Sequence, residues 1–311
     1  MKKKTVILLA SVALMACLLG VFLFAVLMPQ YAQGYNAALI DKKARVMAID
    51  EPKIVLVGNS NLVFGIDSEA MEAELGMPVV NMGLHGGAGN AFHEEMAKFN
   101  VQPGDIYIIS HTDYADIDEV SDPNLAWITI ENHFDLWPLI RTKDIPAMAE
   151  AFPGYVKRCL NLWAAGEGNL STGDAYARDA FNAHGDNVFE RPIPEKNLPF
   201  AEQTVPGISK ACTDRLNALN SYMQERGATL LLTAYPIAYG EYTPSLDDYD
   251  AFQMELEEAL DFPIISYFLD YMFQYDYFYD TIYHLNDDGV DLRTNLLIAD
   301  IQWWMEENAG E

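Results

Sequence analysis

The hydrophobic pattern begins with one long apolar stretch near the N-terminus. Thr5 to Met28 contains no charged residue and, at about 1.5 Å per residue, is long enough to cross the hydrocarbon layer of a bilayer as one helix. Three lysines precede it, and basic residues before a span favour an orientation with the N-terminus in the cytoplasm. We therefore predict a membrane anchor over residues 1–28, with residues 29–311 outside the cytoplasm.

Two other interpretations of this segment remain open. A cleaved signal peptide has an apolar core of about 7 to 15 residues, which is shorter than the present stretch. Leu14-Met15-Ala16-Cys17 resembles a bacterial lipoprotein cleavage site. Because an anchor and a lipoprotein would both stay on the membrane, the expected location is the cell membrane, with the main domain extracytoplasmic.

Beyond residue 50, short apolar runs alternate with amphipathic segments. The runs rich in β-branched and aliphatic residues, which are typical of buried parallel strands, lie at 54–58, 79–83 and 105–110. Residues 68–76 read as a helix with Ser68 as the N-cap and Gly76 as the terminator, and residues 88–99 suit a second helix. This order of strand, helix, strand, helix and strand predicts an α/β fold with a central parallel sheet.

The same alternation returns late in the chain. It predicts helices at 210–226, 246–260 and 288–307, and strands at 229–233 and 262–266. The residues from 113 to 205 do not follow it, since they contain many prolines, several tryptophans and only helix-like pieces. We interpret them as one helical insertion, placed where a lid or a substrate-binding cap could sit. The predicted organisation is an anchor at 1–28, a juxtamembrane linker at 29–50, and one domain at 51–311 that carries the insertion.

Composition narrows the function classes. The chain of 311 residues has 46 acidic and 19 basic side chains, a net charge of -27, and 50% hydrophobic residues. Half the chain being apolar is enough for a substantial core, and the lack of clustered basic residues argues against nucleic acid as a partner. Cys159 and Cys212 lie outside the apolar stretch, where either a disulfide or two buried thiols would fit.

A serine motif follows the first predicted strand directly. Gly58-Asn59-Ser60-Asn61 places Ser60 at the carboxyl edge of the sheet, where open α/β proteins have their sites. The turn that follows could aim backbone N–H groups at an anion. The alternative interpretation is a strand exit rich in Asn and Ser that only caps the next helix.

A second motif lies far away in the chain, before the last helix. Asp280 precedes His284 by four residues on a predicted loop, so a carboxylate and an imidazole could share one site. A neutral imidazole can take a proton from a serine hydroxyl, while the carboxylate fixes its tautomer. Alternatively, both residues simply cap the last helix. The presence of Ser60 at the other end of the domain favours the catalytic interpretation.

No metal site is predicted. His93-Glu94-Glu95 lacks the spacing of the two-histidine zinc helix, and we expect it on a solvated helix face. The cysteines lack the close pairing of a structural zinc site.

Together these segments resemble the SGNH (GDSL-type) hydrolases. The resemblance rests on Gly58-Asn59-Ser60, on Asn81-Met82-Gly83-Leu84-His85-Gly86-Gly87 and on the Asp280/His284 segment, and it covers about residues 50–112 and 205–307. Within that superfamily the chain resembles the membrane-anchored proteins of extracellular polysaccharide acylation, such as those of D-alanyl transfer to teichoic acid and of alginate acetylation. The resemblance implies a three-layer α/β/α, flavodoxin-like architecture.

The resemblance also implies roles for individual residues. Ser60 matches the nucleophile, His284 the base, Asp280 its orienting acid, and Gly83 the glycine whose N–H helps to hold the oxyanion. The chain departs from the family pattern at Asn59, where an Asp is usual, and in the three residues between Asp280 and His284, where two are usual.

The third block of the family, which supplies an Asn donor, is Ser110-His111-Thr112-Asp113 here. The oxyanion hole is therefore expected to depend on the backbone N–H groups of Ser60 and Gly83, with help from Asn61 or His111. Loss of one donor typically costs about 10²- to 10³-fold in turnover, so activity could be weak or lost.

The expected function is that of an extracytoplasmic serine esterase or O-acyltransferase acting on a cell-envelope or exported polysaccharide, without an organic cofactor. A multispanning membrane acyltransferase is a possible partner. An inactive SGNH-like scaffolding subunit and a carbohydrate-binding receptor are the alternatives. A fluorophosphonate probe and replacement of Ser60 distinguish the three. An enzyme loses labelling in Ser60→Ala, a scaffold is not labelled even as wild type, and a receptor keeps its sugar affinity when Ser60 is replaced.

Overall fold

The fold is seen in a computed structural model that describes residues 3–115, 120–192, 203–241 and 243–308. The α-helices of these residues are α1 (Lys3–Leu27), α2 (Ala38–Ala48), α3 (Ser60–Val63), α4 (Ser68–Leu75), α5 (Asn90–Met96), α6 (Pro123–Thr129), α7 (Ile145–Ala165), α8 (Lys210–Gln224), α9 (Leu246–Ala259) and α10 (Asp287–Glu307). The strands are β1 (Ile54–Gly58), β2 (Val79–Asn81), β3 (Ile106–Ser110), β4 (Thr229–Leu232), β5 (Ile237–Tyr239) and β6 (Met272–Gln274). Short 3-10 helices lie at Tyr35–Ala37, Gly86–Ala88, Phe134–Leu139, Thr142–Asp144, Arg178–Ala180, Phe268–Tyr271 and Tyr275–Tyr277.

The central sheet is parallel, as the alternation of strands and helices predicts. Its strand order is β2-β1-β3-β4, and β5 and β6 form a separate parallel pair. Gly58 at the end of β1 lies in register with Ser110 at the end of β3. The carboxyl ends of these two central strands are therefore level, so the loops that leave them meet at one edge of the sheet.

Each face of the sheet buries apolar side chains against helices. Along β1, Val55 and Val57 belong to one apolar cluster, whereas Ile54 and Leu56 belong to another, as the period of two along a strand requires. The first cluster contains residues from α2, α5, α8 and α9, and the second contains residues from α4 and α10. This arrangement confirms the predicted mixed α/β fold with a central parallel sheet.

Helix boundaries follow the capping signals, with one correction. Gly76 ends α4 in the left-handed conformation with φ 66°, as predicted. Ser68, however, is the first helical residue of α4, and Asp67 is the N-cap, because its side chain accepts a hydrogen bond from Ala70 N. The Ser68 hydroxyl donates instead to Asp186 Oδ1 at 2.7 Å.

Other segments differ from expectation. The segment 29–50, which we expected to be a linker, contains helix α2. The strand predicted at 262–266 is reduced to a single bridge between Leu232 and Ile264, since only the backbone groups on either side of Ile264 bond to the sheet. The strands β5 and β6, which are each three residues long, were not predicted.

The region from 113 to 205 carries helices α6 and α7, in line with the helix-like pieces expected there. Part of this predicted insertion lies outside the described residues. Cys159 on α7 and Cys212 on α8 are buried free thiols, which resolves the cysteine alternatives against a disulfide.

At the N-terminus, Lys3–Phe24 is long and apolar enough to cross a membrane. A helix of this kind at this position fits a membrane anchor or a signal sequence.

Candidate active site

The serine motif forms a tight turn from β1 into α3. Asn59 caps α3, and its Oδ1 accepts hydrogen bonds from both Asn61 N at 3.0 Å and Asn61 Nδ2 at 2.6 Å. A Cβ atom at Gly58 would lie 2.2 Å from Ser110 O, so only glycine allows β1 and β3 to approach this closely before the turn. The predicted cap is therefore present, and it holds Ser60 at the first position of the helix.

Ser60, His284 and Asp280 lie in one hydrogen-bonded chain. His284 Nε2 is 2.8 Å from Ser60 Oγ, and His284 Nδ1 is 2.8 Å from Asp280 Oδ1. An ionised carboxylate only accepts hydrogen bonds, so Nδ1 carries the proton and Nε2 is left to accept from the serine hydroxyl. His284 lies 4 positions after Asp280 but 224 positions after Ser60 in sequence, and the structure brings all three together.

Asp280 is held in its charged form. Partial burial acts to raise the pKa of this carboxyl, but the hydrogen bonds donated by His284 and Tyr176 outweigh it, and the pKa of Asp280 is lowered. Tyr176 donates its hydroxyl to Asp280 Oδ2. The pKa of Tyr176 is raised by burial and by this carboxylate, which keeps the phenol protonated as the donor.

Aromatic side chains fix the imidazole ring. Phe64 stacks on His284 with ring centroids 4.2 Å apart and an interplanar angle of 17°. Phe64 is fully buried, and the guanidinium of Arg191 lies over the Phe64 ring, 5.4 Å from its centroid. This packing limits the rotation of the His284 ring and excludes water from its face.

The loop that carries the acid and the base closes on itself. Tyr279 N donates to His284 O at 2.8 Å, and Thr281 Oγ1 accepts from the backbone N–H of Tyr283 and of His284. The three residues between Asp280 and His284 form this turn, so the unusual spacing still presents both side chains to each other. Leu285 N also donates to Phe64 O, which joins this loop to the serine turn.

A buried arginine supports the turn from behind. Arg293 on α10 is fully buried and donates to Asn61 O at 2.6 Å and Asn61 Oδ1 at 2.8 Å. It also donates to Ser110 Oγ at 3.0 Å. Burial lowers the pKa of Arg293 to about 10, so the group is charged at neutral pH. The last helix therefore holds the exits of both β1 and β3.

The structure does not present Asn61 or His111 to a substrate, although we expected that either could donate to the oxyanion. Both amide protons of Asn61 are used, because Nδ2 donates to Asn59 Oδ1 and to Ser110 O. His111 is fully buried, and its Nε2 lies 3.2 Å from Glu94 Oε1. Their roles here are to hold the strand exits in place.

Gly83, the remaining expected donor, is also buried. Its N–H donates to Asn81 Oδ1 at 2.9 Å, and its carbonyl accepts from Nζ of the buried Lys42 side chain at 2.7 Å. A side chain at Gly83 would collide with Asn81 and Leu62, since a Cβ would lie 2.9 Å from each. The glycine is thus required for packing, and its N–H would have to leave Asn81 to reach a ligand.

A cleft of about 570 Å³ opens beside Ser60, within the usual size range of ligand sites. Thr112, Asn90 and Tyr283 are among the side chains that line it. Thr112 Oγ1 accepts a hydrogen bond from Asn59 Nδ2 at 2.7 Å, so its own proton is available to a ligand. The N–H of Ser60 is the first of α3, and the first N–H groups of a helix have no partner within it. Both groups are therefore suited to bind a negative oxygen.

Sequence reasoning missed Thr112 and Tyr176. Thr112 stands two residues after the end of β3, where a polar residue at the carboxyl edge of a sheet could have been considered. Tyr176 is 104 residues away from Asp280 within an irregular segment, and no local pattern marks it.

The His93-Glu94-Glu95 segment is only partly solvated, contrary to expectation. His93 and Glu94 are buried in α5, where Glu94 accepts hydrogen bonds from Arg215 and lies next to His111. Glu94 thus serves a buried ion pair with Arg215. Among the described residues, no group of three or more His, Cys, Asp or Glu side chains could hold a metal ion.

Comparisons with known protein families, with curated proteins and with solved structures find no match for this chain.

Proposed function

We propose that the chain is an extracytoplasmic, membrane-anchored serine esterase or O-acyltransferase that acts on a cell-envelope or exported polysaccharide. Its domain would be an SGNH-like three-layer α/β/α fold with the insertion at 113–205. The observation that carries the proposal is the continuous chain of hydrogen bonds from Ser60 through His284 to Asp280, each 2.8 Å long. Such an arrangement is the recognised basis of nucleophilic acyl transfer.

The first step would form an acyl-enzyme. Ser60 Oγ attacks the carbonyl carbon of an acyl ester, and His284 Nε2 takes the hydroxyl proton as the new C–O bond forms. The negative charge moves to the carbonyl oxygen, for which the N–H of Ser60 and the hydroxyl of Thr112 are the available donors in the cleft. Asp280 stabilises the imidazolium that forms. Collapse of the intermediate breaks the ester bond, and His284 returns its proton to the leaving alcohol.

The second step would release the acyl group. Water or a sugar hydroxyl attacks the acyl-serine, and His284 accepts its proton. The bond between the acyl carbon and Ser60 Oγ then breaks, and His284 returns the proton to Ser60 Oγ. Hydrolysis and transfer share this intermediate, so the two activities differ only in the acceptor that occupies the cleft. Polar side chains such as Asn90 and Thr112 border the cleft and suit the hydroxyl groups of a glycan. No organic cofactor takes part, and a multispanning membrane acyltransferase is a candidate source of acyl groups.

A fluorophosphonate probe tests the proposal, because it labels only an activated serine. We expect wild type to be labelled, and Ser60→Ala and His284→Ala to be unlabelled. A matched control is Ser121→Ala, which removes a second serine from the same cleft and should leave labelling unchanged. Absence of labelling in a folded wild-type protein would contradict the proposal.

One observation favours a second function, that of an inactive SGNH-like binding or scaffolding subunit. The N–H of Gly83 is already bonded to Asn81, which leaves fewer donors for an oxyanion than acyl transfer normally uses. In that case wild type would resist the probe, and glycan binding would be unaffected by Ser60→Ala.

A further inference from the structure

Helix α7 packs against the last turns of the apolar helix α1. Phe22 and Phe152 have ring centroids 5.8 Å apart, and Phe24 meets Trp163 edge to face at the same distance. Phe152 and Trp163 are eleven residues apart, close to three full turns, so they lie on one side of α7. This side of α7 therefore crosses the C-terminal end of α1, because the contacted residues of α1 are only two positions apart.

The contacts occur at a defined depth along α1. Phe22 lies five residues before Leu27, where α1 ends, so it is about 7 to 8 Å from that end at 1.5 Å per residue. Interfacial helices bury their apolar face about 5 to 10 Å into the boundary between headgroups and acyl chains. If α1 crosses a bilayer, a helix that touches Phe22 lies at this boundary.

The residues next to this contact are apolar and uncovered. Leu160 is 40% exposed, Trp163 is 57% exposed, and Leu170, just beyond the end of α7, is 63% exposed. Leu160 lies about 60° around the helix from Trp163, beside the side that contacts α1. Lys157, about one turn before Leu160 on α7, is also exposed. Tryptophan with a nearby lysine is typical of the membrane interface, where the ring sits at headgroup level and the long basic side chain reaches water.

The chain after α1 is fixed to the same region. Gln30 N and Tyr31 N donate to the two carboxylate oxygens of Glu131, at 2.7 and 2.8 Å. Asn169 Nδ2 donates to Pro29 O at 2.6 Å, and its Oδ1 accepts from the backbone N–H of Ala32. These bonds leave little freedom for the domain to swing on its anchor, so the orientation of α7 relative to α1 is defined.

We propose that the exposed residues Leu160, Trp163 and Leu170, called here the α7 face, rest in the headgroup region of the same bilayer that α1 enters. Lipid is the occupant that fits, because the face continues directly from the apolar surface of α1 at the depth of the interface. The proposal adds a second membrane contact to the anchor and does not depend on the catalytic proposal. It gives the domain one orientation on the membrane surface.

Fluorescence quenching in vesicles tests the proposal with the full chain. Single cysteines introduced as Leu160→Cys and Leu170→Cys, in a Cys17→Ala background, are labelled with nitrobenzoxadiazole and reconstituted into phosphatidylcholine vesicles. Met254→Cys is the matched control, since Met254 is an exposed apolar residue on α9. Cys159 and Cys212 are buried, and burial raises the pKa of Cys159 to about 11, so both react slowly. The wild-type chain labelled at Cys17 reports whether α1 itself is in the bilayer.

The lipid quencher is phosphatidylcholine with a nitroxide on its acyl chain. We expect it to reduce the emission from labels at positions 160 and 170 about two-fold, because these positions lie at the interface, and to leave the label at position 254 unchanged. Iodide in the water should quench position 254 most strongly. The proposal is overturned if positions 160 and 170 respond as position 254 does while the label on Cys17 is quenched by lipid. It is also overturned if the α7 face is shielded from both quenchers, which would indicate a protein partner or a second copy. An unquenched Cys17 would remove the anchor and the proposal together.

Discussion

The hydroxyl of Tyr176 gives a direct test of how the acid of the candidate triad is held. Tyr176→Phe removes one of the two side-chain donors to Asp280 and keeps the aromatic ring. The ring packs near Tyr35 and Phe64, with centroids 5.9 and 5.6 Å apart, and these contacts should survive. The substitution therefore isolates the hydrogen bond from the packing.

The expected magnitude follows from the exposure of the acceptor. A hydrogen bond to a charged group is worth about 1.5 to 3 kcal/mol. The Asp280 side chain is 33% exposed, so water can replace part of the lost bond, and we reduce the cost to about 1 kcal/mol. If this energy serves to align His284 through Asp280, the rate of acylation falls about five-fold.

The pH dependence gives the sign of the effect. The pKa of Asp280 is lowered in the folded protein, partly by Tyr176, so the carboxylate stabilises the fold above its unfolded-state pKa. This stabilisation is lost as the pH falls through the folded-state value. In Tyr176→Phe the pKa of Asp280 rises, so the stability that this carboxylate contributes should be lost at a higher pH than in wild type. The stability difference from wild type should be present near neutral pH and vanish in acid.

The assay is the second-order rate of fluorophosphonate labelling, measured against pH beside urea unfolding at each pH. Tyr279→Phe is the matched control, because Tyr279 is a neighbouring, partly exposed tyrosine whose hydroxyl is not part of the bonds to Asp280. A Tyr176→Phe protein with the wild-type rate and the wild-type dependence of stability on pH would refute the reasoning. So would an equal change in Tyr279→Phe.

Three further predictions concern the surroundings of Ser60. Thr112→Val should slow labelling at least about ten-fold through loss of an oxyanion donor, whereas Thr112→Ser should stay within a few-fold of wild type in the same assay. Arg293→Met should lower the free energy of unfolding by about 3 kcal/mol or more, measured in urea, because Asn61 and Ser110 lose buried hydrogen bonds; a loss below about 1 kcal/mol would contradict this. Burial lowers the pKa of Lys42 from 10.5 to about 7. Between these two pH values the unfolded chain binds more protons than the folded one, so the free energy of unfolding should rise with pH. Lys42→Met should abolish this rise.

The sequence predicted the fold class and the three residues that meet at the site. The strands of the central sheet were readable because they are buried on both faces and so form continuous apolar runs, as in β1 and β3. Ser60 and His284 could be paired because each stands at a recognisable boundary, one at a strand exit and one just before a helix. Gly76 was readable because a left-handed terminator favours glycine.

The surroundings of the site were not predictable in the same way. Asn61 and His111 were plausible donors by residue type. Asn61, however, is bonded to Arg293, 232 positions away, and His111 lies next to Glu94 on helix α5. Tyr176 reaches Asp280 only through the path of an irregular segment. Such partners are set by tertiary packing, and a single sequence carries no local signal for them.

Arg293 has a consequence for the order in which the molecule becomes competent. It lies 232 positions after Asn61, to which it donates, and His284 precedes it by only nine residues. Before residue 284 has been synthesised, the nascent chain therefore has neither the base, His284, nor the arginine that holds the serine turn. If Ser60 is a nucleophile, it stays dormant until α10 has been synthesised, and a protein truncated before α10 should be inert from the start.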